Sequence, residues 1–382
     1  MSKVTQADIA RALGLSPTTV GLVVGNTSSP LARRLSKETI ERVRKKAEEM
    51  GYLPNRAAQI VRRGRSNLIV LLSMTGQSEI GARCAYQVGR LVHEAGFEFQ
   101  TVEAYWWPGD GKRFIEQVLA LRPEGVVVTG SIQTQMDFER IQRSGIPMVS
   151  IGCWIPGVPF IRADVAQAFF ELTTAAIAAG RERLALLVKD AQEMLWPTRE
   201  RLNGFRNAVK AAGLSAPREY RYGDAVPEKG EPGAAVFFDT RQAQFFEPFT
   251  PGTTIAEWIG AYPDALICTN DHYAFGVMTH YLQKGVCIPG QIMVSGFDNL
   301  SFTTQGVAPL TTVEQPVVEM AEAAMRLLRE WIGGTPPGHR EEIYPCRIQW
   351  RRSMPKPESF PLSRNPKISF SHEKATFISA GR

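Results

Sequence analysis

Residues 5–24 read TQADIARALGLSPTTVGLVV, and this stretch decides the fold of the amino-terminal part of the chain. The pattern predicts two short helices joined by a turn. Thr5 is placed to cap the first helix, and Gly14 is placed to end it because glycine tolerates a positive φ. Ser16 is a favourable cap for the second helix, and Pro17 suits its first turn, where no backbone donor is needed. The sequence therefore predicts a small helix-turn-helix.

The spacing of apolar residues predicts which sides of the two helices are buried. The inner face is expected to contain Ile9, Ala12, Leu13, Val20, Val23 and Val24. The second helix is then expected to point short side chains outward, at Thr18, Thr19, Gly21 and Leu22. A helix-turn-helix that displays short polar groups fits the major groove of DNA. The alternative is an ordinary helical hairpin.

The charge distribution favours the DNA-binding alternative. Residues 1–66 contain 13 Lys and Arg and 5 Asp and Glu, a net charge of +8, whereas the whole chain carries +6. The positive charge is therefore confined to the end that holds the helix pair, as neutralisation of DNA phosphates requires. A merely solvated basic face would not explain why the charge and the helix pair coincide.

A third helix is predicted to begin after its cap Ser36 and to end at Gly51, and the sequence GYLPNRAAQIVRRGRS follows at 51–66. The chain thus has three predicted helices, followed by the motif GY-x-PN-R-x-AQ and then by a basic Gly/Ser linker. This order resembles the LacI-type (lactose repressor/galactose repressor) family of bacterial transcription regulators. The resemblance extends to about Ser353 and so covers most of the chain.

The resemblance implies a hinge helix over the segment that matches Asn55 to Arg62. In that family the hinge folds when two subunits meet on DNA, and it wedges an apolar residue into the minor groove, which is Val61 in this chain. A plain flexible linker over 55–66 is the alternative. The chain departs from the family at Leu22, where a base-reading Arg is usual, and leucine can contact a thymine methyl group but cannot donate to guanine.

The helix pair and the resemblance together predict the residues that contact DNA. They are Thr5, Ser16, Pro17, Thr18, Thr19, Gly21, Leu22, Asn26, Arg33, Arg34, Ser36, Thr39, Tyr52, Asn55, Arg56, Ala58, Val61, Arg62 and Arg63. The expected partner is double-stranded DNA with a near-palindromic operator, because a homodimer presents two heads related by twofold symmetry. The carboxyl-terminal tail shows no heptad pattern for a tetramer.

Beyond residue 67 the chain alternates continuous apolar runs with helical segments, as at Leu68–Leu72, Gly125–Thr129 and Ile292–Phe297. This alternation predicts parallel sheets covered by helices on both faces. The predicted fold class is α/β: a three-helix head followed by a doubly wound, two-lobed domain like the periplasmic binding proteins. The predicted boundaries are 1–54 for the head, 55–66 for the hinge, 67–353 for the two lobes and 354–382 for a disordered tail.

Two lobes of this kind bind small molecules in the cleft at the carboxyl ends of their strands. RLNGF at 201–205, TND at 269–271, SGFDN at 295–299 and PLTTVEQP at 309–316 all resemble family segments. The resemblance implies that Arg201 and Asp271 bind polar groups of an effector, and an ion pair between the lobes is the structural alternative.

Further effector contacts are expected at Ser78, Trp107, Trp154 and Trp196, because they follow predicted strands. Aromatic plates suit the apolar face of a sugar and also that of a purine. A small polar effector, preferably a sugar, is therefore expected in the cleft.

No sequence motif indicates an enzyme, a cofactor or a metal site. The chain has no GxGxxG, Walker loop, GxSxG or HExxH motif, and its five Cys and five His show no metal-ligand spacing. The amino terminus does not resemble a signal peptide, and no apolar run approaches membrane length, so a cytoplasmic bacterial regulator without membrane association is expected. The alternative is a two-lobed sugar-binding protein without a DNA role.

Overall fold

The computed structural model describes residues 4–25, 34–53, 65–74, 78–104, 111–130, 136–189, 196–227, 232–239 and 250–359. The chain divides into two compact units, Met1–Leu68 with Leu121–Glu124, and Ile69–Ala120 with Gly125–Arg382. Several predicted site residues lie outside the described residues: Asn26, Arg33, Asn55, Arg56, Ala58, Val61, Arg62, Arg63 and Trp107.

The described residues of the small unit form three helices, α1 (Gln6–Leu13), α2 (Pro17–Gly25) and α3 (Lys37–Glu49). The predicted caps are confirmed. Thr5 and Asp8 form a reciprocal capping box at the start of α1, and Gly14 ends that helix with φ 65°. The backbone N–H of Thr19 donates to Ser16 Oγ at 3.0 Å, so the second predicted cap is present as well.

The core of the small unit corrects two sequence predictions. Val20 and Val23 are buried as expected, but on α1 the buried alanine is Ala10, and Ala12 is exposed. Gly21 is buried and does not point outward. Helices α2 and α3 both pack on α1, and the buried side of α1 therefore contains Ile9 and Ala10 rather than Ala12. Gly21 is buried because α2 also contacts both of the other helices.

The large unit contains two sheets. Sheet A has six strands in the order β12-β5-β4-β3-β1-β2. Its strands are β1 (Leu68–Ser73), β2 (Glu98–Glu103), β3 (Gly125–Thr129), β4 (Met148–Ile151), β5 (Phe160–Asp164) and β12 (Glu341–Pro345). Its helices are α4 (Glu79–Glu94), α5 (Gly111–Ala120), α6 (Phe138–Arg143) and α11 (Val317–Ile332). We call this sheet with its helices lobe A.

Sheet B has seven strands in the order β13-β11-β10-β9-β6-β8-β7. Its strands are β6 (Arg183–Lys189), β7 (Arg218–Arg221), β8 (Gly233–Asp239), β9 (Ala265–Cys268), β10 (Met293–Phe297), β11 (Thr311–Glu314) and β13 (Arg347–Gln349). Its helices are α7 (Val165–Ala178), α8 (Trp196–Ala211), α9 (Thr250–Ile259) and α10 (Asp271–Gln283). We call it lobe B, and β13 is antiparallel to its neighbour β11.

The chain crosses between the lobes three times, from β5 into α7, from β11 into α11, and from β12 into β13. The two-lobed α/β architecture predicted from the strand-helix alternation is therefore confirmed. One cluster of buried apolar residues extends across both sheets, from Ile69 and Val149 in lobe A to Leu186 and Phe297 in lobe B.

The folded chain continues past the predicted start of the tail. Met354 is fully buried, and its carbonyl oxygen accepts a hydrogen bond from Thr311 Oγ1 at 2.7 Å. The prediction that disorder begins at 354 is therefore wrong, because residues 351–354 fold back against β11 and a short 3₁₀ turn follows at Pro357–Ser359.

The described residues include no helix whose length and hydropathy would let it cross a membrane. Within the same ranges, no group of three or more His, Cys, Asp or Glu side chains is placed to hold a metal ion. The five cysteines are free thiols.

The close approach of α7 and α8 predicts a strong effect of Gly204→Ala. A Cβ at this position would lie 2.1 Å from the carbonyl oxygen of Ala166, so backbone must move. We expect the free energy of unfolding to fall by about 1–3 kcal/mol or more. Urea titration monitored by tryptophan fluorescence reports on the large unit alone, because residues 1–68 contain no Trp.

The matched control is Asn203→Ala, one residue earlier on the exposed side of α8. It should change the free energy of unfolding by no more than about 0.5 kcal/mol. Equal effects of the two substitutions would contradict the role of the α7–α8 contact.

Candidate functional site

The first turn of α2 presents its small polar residues to solvent. Ser16, Pro17 and Thr18 are exposed, whereas Thr19 is half-buried. The hydroxyl groups of Ser16 and Thr19 lie 2.8 Å apart, so the cap fixes both of them at the start of the helix. A fixed pair of hydroxyls can still make further hydrogen bonds to a partner.

A second exposed helix start lies at α3. Ser36 accepts from the backbone N–H of Thr39 at 3.2 Å, and the two hydroxyls lie 2.9 Å apart. Arg34 is exposed just before this cap. Tyr52, half-buried after α3, accepts a hydrogen bond from Gln6 Nε2 at 3.0 Å and thereby ties the end of α3 to α1.

Gly21 is a correction to the predicted contact set. It is buried in the head, so it presents no surface to a partner, and the neighbouring Leu22 is only half-buried. Leu22 is thus the residue of this pair that keeps accessible surface. Its apolar side chain cannot donate a hydrogen bond.

In the large unit, Asp271 does not have the environment that the resemblance implies. The residue has no accessible surface. Its Oδ1 accepts from Thr312 Oγ1 at 2.5 Å, and its Oδ2 accepts from the backbone N–H of Leu300 at 2.8 Å. In this structure both carboxylate oxygens bind the chain itself, so the effector contact expected of Asp271 stays a prediction.

Burial also changes the acidity of Asp271. Loss of hydration raises its pKa to about 7, although the hydrogen bonds from Thr312 and Leu300 oppose the rise. The neighbouring Asn270 caps α10, since its Oδ1 accepts from the backbone N–H of Tyr273 at 2.8 Å.

The carboxylate that faces Arg201 is Asp298, directly after β10. Asp298 keeps partial exposure, and its Oδ1 accepts from Gln315 Nε2 at 2.7 Å. Burial raises its pKa to about 6, and the opposing effect of the Arg201 charge is the largest that lowers it. Its backbone has φ 110°, a conformation that L-residues rarely adopt.

Arg201, on the second turn of α8, lies with its guanidinium carbon 4.6 Å from the ring centre of Phe297. Its Nε is buried and has no hydrogen-bond partner in the described part of the chain. Burial lowers its pKa, and the Asp298 carboxylate opposes this effect. Buried guanidinium groups normally have acceptors, so this orphan donor needs a partner that the described chain does not supply.

The predicted aromatic contacts have different surroundings. Trp154 lies three residues after the end of β4 and is 59% exposed, so its ring is accessible to a ligand. Trp196 is already packed: Phe160 meets its ring edge-on at 5.1 Å between ring centres, and the guanidinium of Arg162 lies 5.0 Å from its ring centre. Ser78 caps α4, since its Oγ accepts from the backbone N–H of Gly81 at 3.1 Å.

Sequence reasoning missed Asp298 as a site residue, although SGFDN was recognised as a family segment. The available signal was its position, because it follows the apolar run MVSGF and so lies at the carboxyl end of a buried strand. The choice between Asp271 and Asp298 needed the burial of each side chain, which no local pattern shows.

Two family descriptions match the large unit. Residues 173–354 match the family described as "Periplasmic binding protein-like domain". Residues 108–226 match the family described as "Periplasmic binding proteins and sugar binding domain of LacI family".

Curated relatives match along almost the whole chain. The HTH-type transcriptional repressor CytR of Escherichia coli (strain K12) is 24% identical over 353 residues, covering 91% of this chain and 96% of the relative. The HTH-type transcriptional regulator DegA of Bacillus subtilis (strain 168) is also 24% identical, over 324 residues, covering 83% of this chain and 88% of the relative.

Solved structures share the fold. A Lac repressor dimer bound to operator and the anti-inducer ONPF has a TM-score of 0.73 at 20% identity, with 93% of this chain and 100% of that chain covered. A LacI-family transcriptional regulator from Silicibacter pomeroyi has a TM-score of 0.71 at 20% identity, covering 92% of this chain and 100% of that chain. Together with the capped helix-turn-helix and the two-lobed sheets, these matches show that the chain is similar to LacI-family transcriptional regulators along most of its length.

Proposed function

We propose that this protein is a sequence-specific DNA-binding transcriptional regulator, acting as a repressor, whose affinity for its operator is changed by a small polar effector bound between the lobes. The observation that carries the proposal is the combination of a capped helix-turn-helix with exposed hydroxyls and, in the large unit, a buried arginine donor, Arg201 Nε, without a partner among the described residues. A binding protein without a DNA role needs the second feature but not the first.

The DNA-binding part of the proposal rests on the head. Ser16, Thr18 and Thr19 start the second helix of the motif, and the family docks this helix in the major groove. Exposed Arg34 before α3 is proposed to contact a phosphate. We propose a homodimer on a near-palindromic operator, because a twofold protein presents its two heads to two half-sites.

The effector-binding part rests on Arg201, Asp298 and Trp154. Arg201 offers one buried donor without a partner among the described residues, Asp298 is a partly exposed residue and offers an acceptor, and Trp154 offers an exposed aromatic face. Donor, acceptor and aromatic plate suit a small ligand with hydroxyl or amide groups on an apolar ring. A sugar meets this description, with Asp298 rather than Asp271 as the carboxylate that accepts its hydroxyls.

The DNA role predicts that Thr18→Asp weakens operator binding. The new carboxylate would stand on the first turn of α2 and repel phosphates, while an acidic residue there stabilises the helix. We expect at least a tenfold loss, about 1.4 kcal/mol, in gel-shift titrations on an operator first obtained by selection from random DNA with the wild type.

Asn203→Asp is the control, since it makes the same change in net charge at an exposed position of the large unit. It should leave operator affinity within about twofold. Failure of the wild-type protein to select any sequence would contradict the proposed function.

The effector role predicts that Arg201→Met abolishes ligand stabilisation. Full-length protein is screened by thermal shift against sugars, sugar acids, sugar phosphates and nucleosides. A compound present at 100 times its dissociation constant adds about 2.7 kcal/mol to the stability of the wild type. The variant should lose that stabilisation because the orphan donor is gone.

Arg206→Met is the matched control on the same helix, where Arg206 forms an exposed ion pair with Glu219 at 2.6 Å. It should keep the ligand response. An Arg201→Met protein that responds like the wild type would remove Arg201 from the site.

The buried carboxyl of Asp271 predicts a pH-dependent stability. Its pKa is raised from 3.8 to about 7 in the folded protein. The protonated carboxyl therefore contributes fully to the free energy of unfolding below about pH 4, and this contribution is lost as the pH rises through 7. Asp298 acts in the same direction. In the wild type the free energy of unfolding should fall between pH 4.5 and 8, and Asp271→Asn should reduce this fall by an amount on the order of 2–4 kcal/mol.

The measurement is urea unfolding followed by tryptophan fluorescence across that pH range. Asp137→Asn, at an exposed position, is the control and should keep the wild-type pH profile. Parallel profiles for Asp271→Asn and the wild type would show that the Asp271 carboxyl is not the titrating group.

A further inference from the structure

A contact between the lobes joins the start of α4 in lobe A to the turn at 298–301 in lobe B. Arg83 donates from Nη1 to the carbonyl oxygen of Asp298 at 3.3 Å and from Nη2 to that of Asn299 at 2.7 Å. One guanidinium therefore holds two consecutive carbonyls of the other lobe. The planar fork of arginine suits such a double acceptor.

Glu79, one helical turn earlier, completes the contact. Both of its carboxylate oxygens lie 3.1 Å from the backbone nitrogen of Ser301, and Oε2 accepts from Ser301 Oγ at 3.0 Å. Ser301 begins the 3₁₀ turn Ser301–Thr304, so the carboxylate satisfies a donor at its amino end. Glu79 also pairs with Arg83 at 2.5 Å, which aligns the two side chains.

The turn that these side chains hold has an unusual backbone. Asp298 and Asn299 have φ values of 110° and 48°, and neither is glycine. Such conformations persist only where surrounding contacts determine them. Lobe B contributes several of these contacts. The carbonyl oxygen of Val313 accepts from the backbone N–H of Asp298 at 2.8 Å, Thr312 Oγ1 accepts from that of Asn299 at 3.1 Å, and Asp271 accepts from that of Leu300.

The same turn carries the acceptor of the proposed ligand site. Asp298 follows Phe297, whose ring centre lies 4.6 Å from the guanidinium carbon of Arg201, and its backbone carbonyl is one of the two that Arg83 holds. Gln315, which donates to the Asp298 carboxylate, lies in the crossing from β11 to α11. A single residue therefore touches the ligand site, the other lobe and a connection between the lobes.

We infer that Glu79 and Arg83 form a clamp between the lobes that holds the 298–301 turn and thereby positions Asp298 opposite Arg201. Both are positioning residues, since they act through the turn. The clamp makes the ligand site sensitive to the arrangement of the lobes, because movement of α4 away from lobe B removes the bonds that lobe A makes to the turn. The link to a ligand rests on the proposed function, whereas the clamp itself can be measured without ligand or DNA.

The test is hydrogen exchange by mass spectrometry on the full-length, ligand-free protein, comparing Arg83→Met with the wild type. Methionine keeps an apolar stem and loses both carbonyl contacts. We expect amide exchange in a peptide covering 298–304 to become at least tenfold faster. Peptides from β6 and β9, in the middle of sheet B, should be unchanged.

Arg90→Met is the matched control. Arg90 lies on the same helix and pairs with Glu94 at 2.7 Å with the same four-residue spacing, but its hydrogen bonds to Gln87 and Glu94 both lie within α4. It should leave exchange in 298–304 at the wild-type rate. Arg83→Lys, which keeps one donor group, should restore part of the protection.

Unchanged exchange at 298–304 in Arg83→Met would overturn the clamp. Acceleration spread evenly over lobe B, with a lower urea midpoint, would also overturn it, because a general loss of stability would then explain the result. Operator selection by the wild type is a separate measurement. If the wild-type protein selected no operator, the proposed function would be contradicted, but the hydrogen-exchange result would still apply.

Discussion

The rest of the large unit depends on one constraint, the threefold passage of the chain between the two sheets. Sheet A is completed by β12, which pairs along β5 from a position about 180 residues later in the chain, from Glu341 opposite Phe160 to Pro345 opposite Asp164. Sheet B ends with β13, which pairs with β11. Neither sheet is therefore formed by one continuous segment of the chain. The apolar cluster shared by both sheets follows from this, and the lobes must fold as one cooperative unit.

The crossings also bring the carboxyl ends of strands from both sheets into one region, where two aspartates acquire opposite roles. Gly296 explains how Asp271 can be buried there, because a Cβ at that glycine would lie 2.2 Å from Asp271 Oδ1. Gly296 of the SGFDN segment therefore leaves the space that the side chain of Asp271 in the TND segment occupies. Asp271 braces the turn through Leu300, and Asp298 on that turn keeps its accessible surface.

The parts of this structure that could be predicted from sequence are those set by local interactions. Each of the three helix caps in the head, Thr5, Ser16 and Ser36, accepts a hydrogen bond from the backbone N–H three residues later. This short spacing can be read directly from the sequence. The alternation of apolar strands and helices likewise predicted parallel sheets. The third crossing, α11 and the late strands were not predicted, because pairing between segments far apart in the chain leaves no periodic signal. The burial of Asp271 depends on three segments meeting at 271, 300 and 312, and no local window contains all three.

The turn at 298–301 has the physical properties that a link between ligand and lobe arrangement requires. Positive φ at two consecutive non-glycine residues costs on the order of 1–3 kcal/mol each, so the turn keeps this shape only while its partners hold it. Those partners come from both lobes, Arg83 and Glu79 on one side and Thr312 and Asp271 on the other. A ligand can shift the arrangement of the lobes only by the difference between its affinities for the two states. Contact with Asp298 creates such a difference, because the acceptor stands opposite Arg201 in one arrangement of the turn and is released in the other.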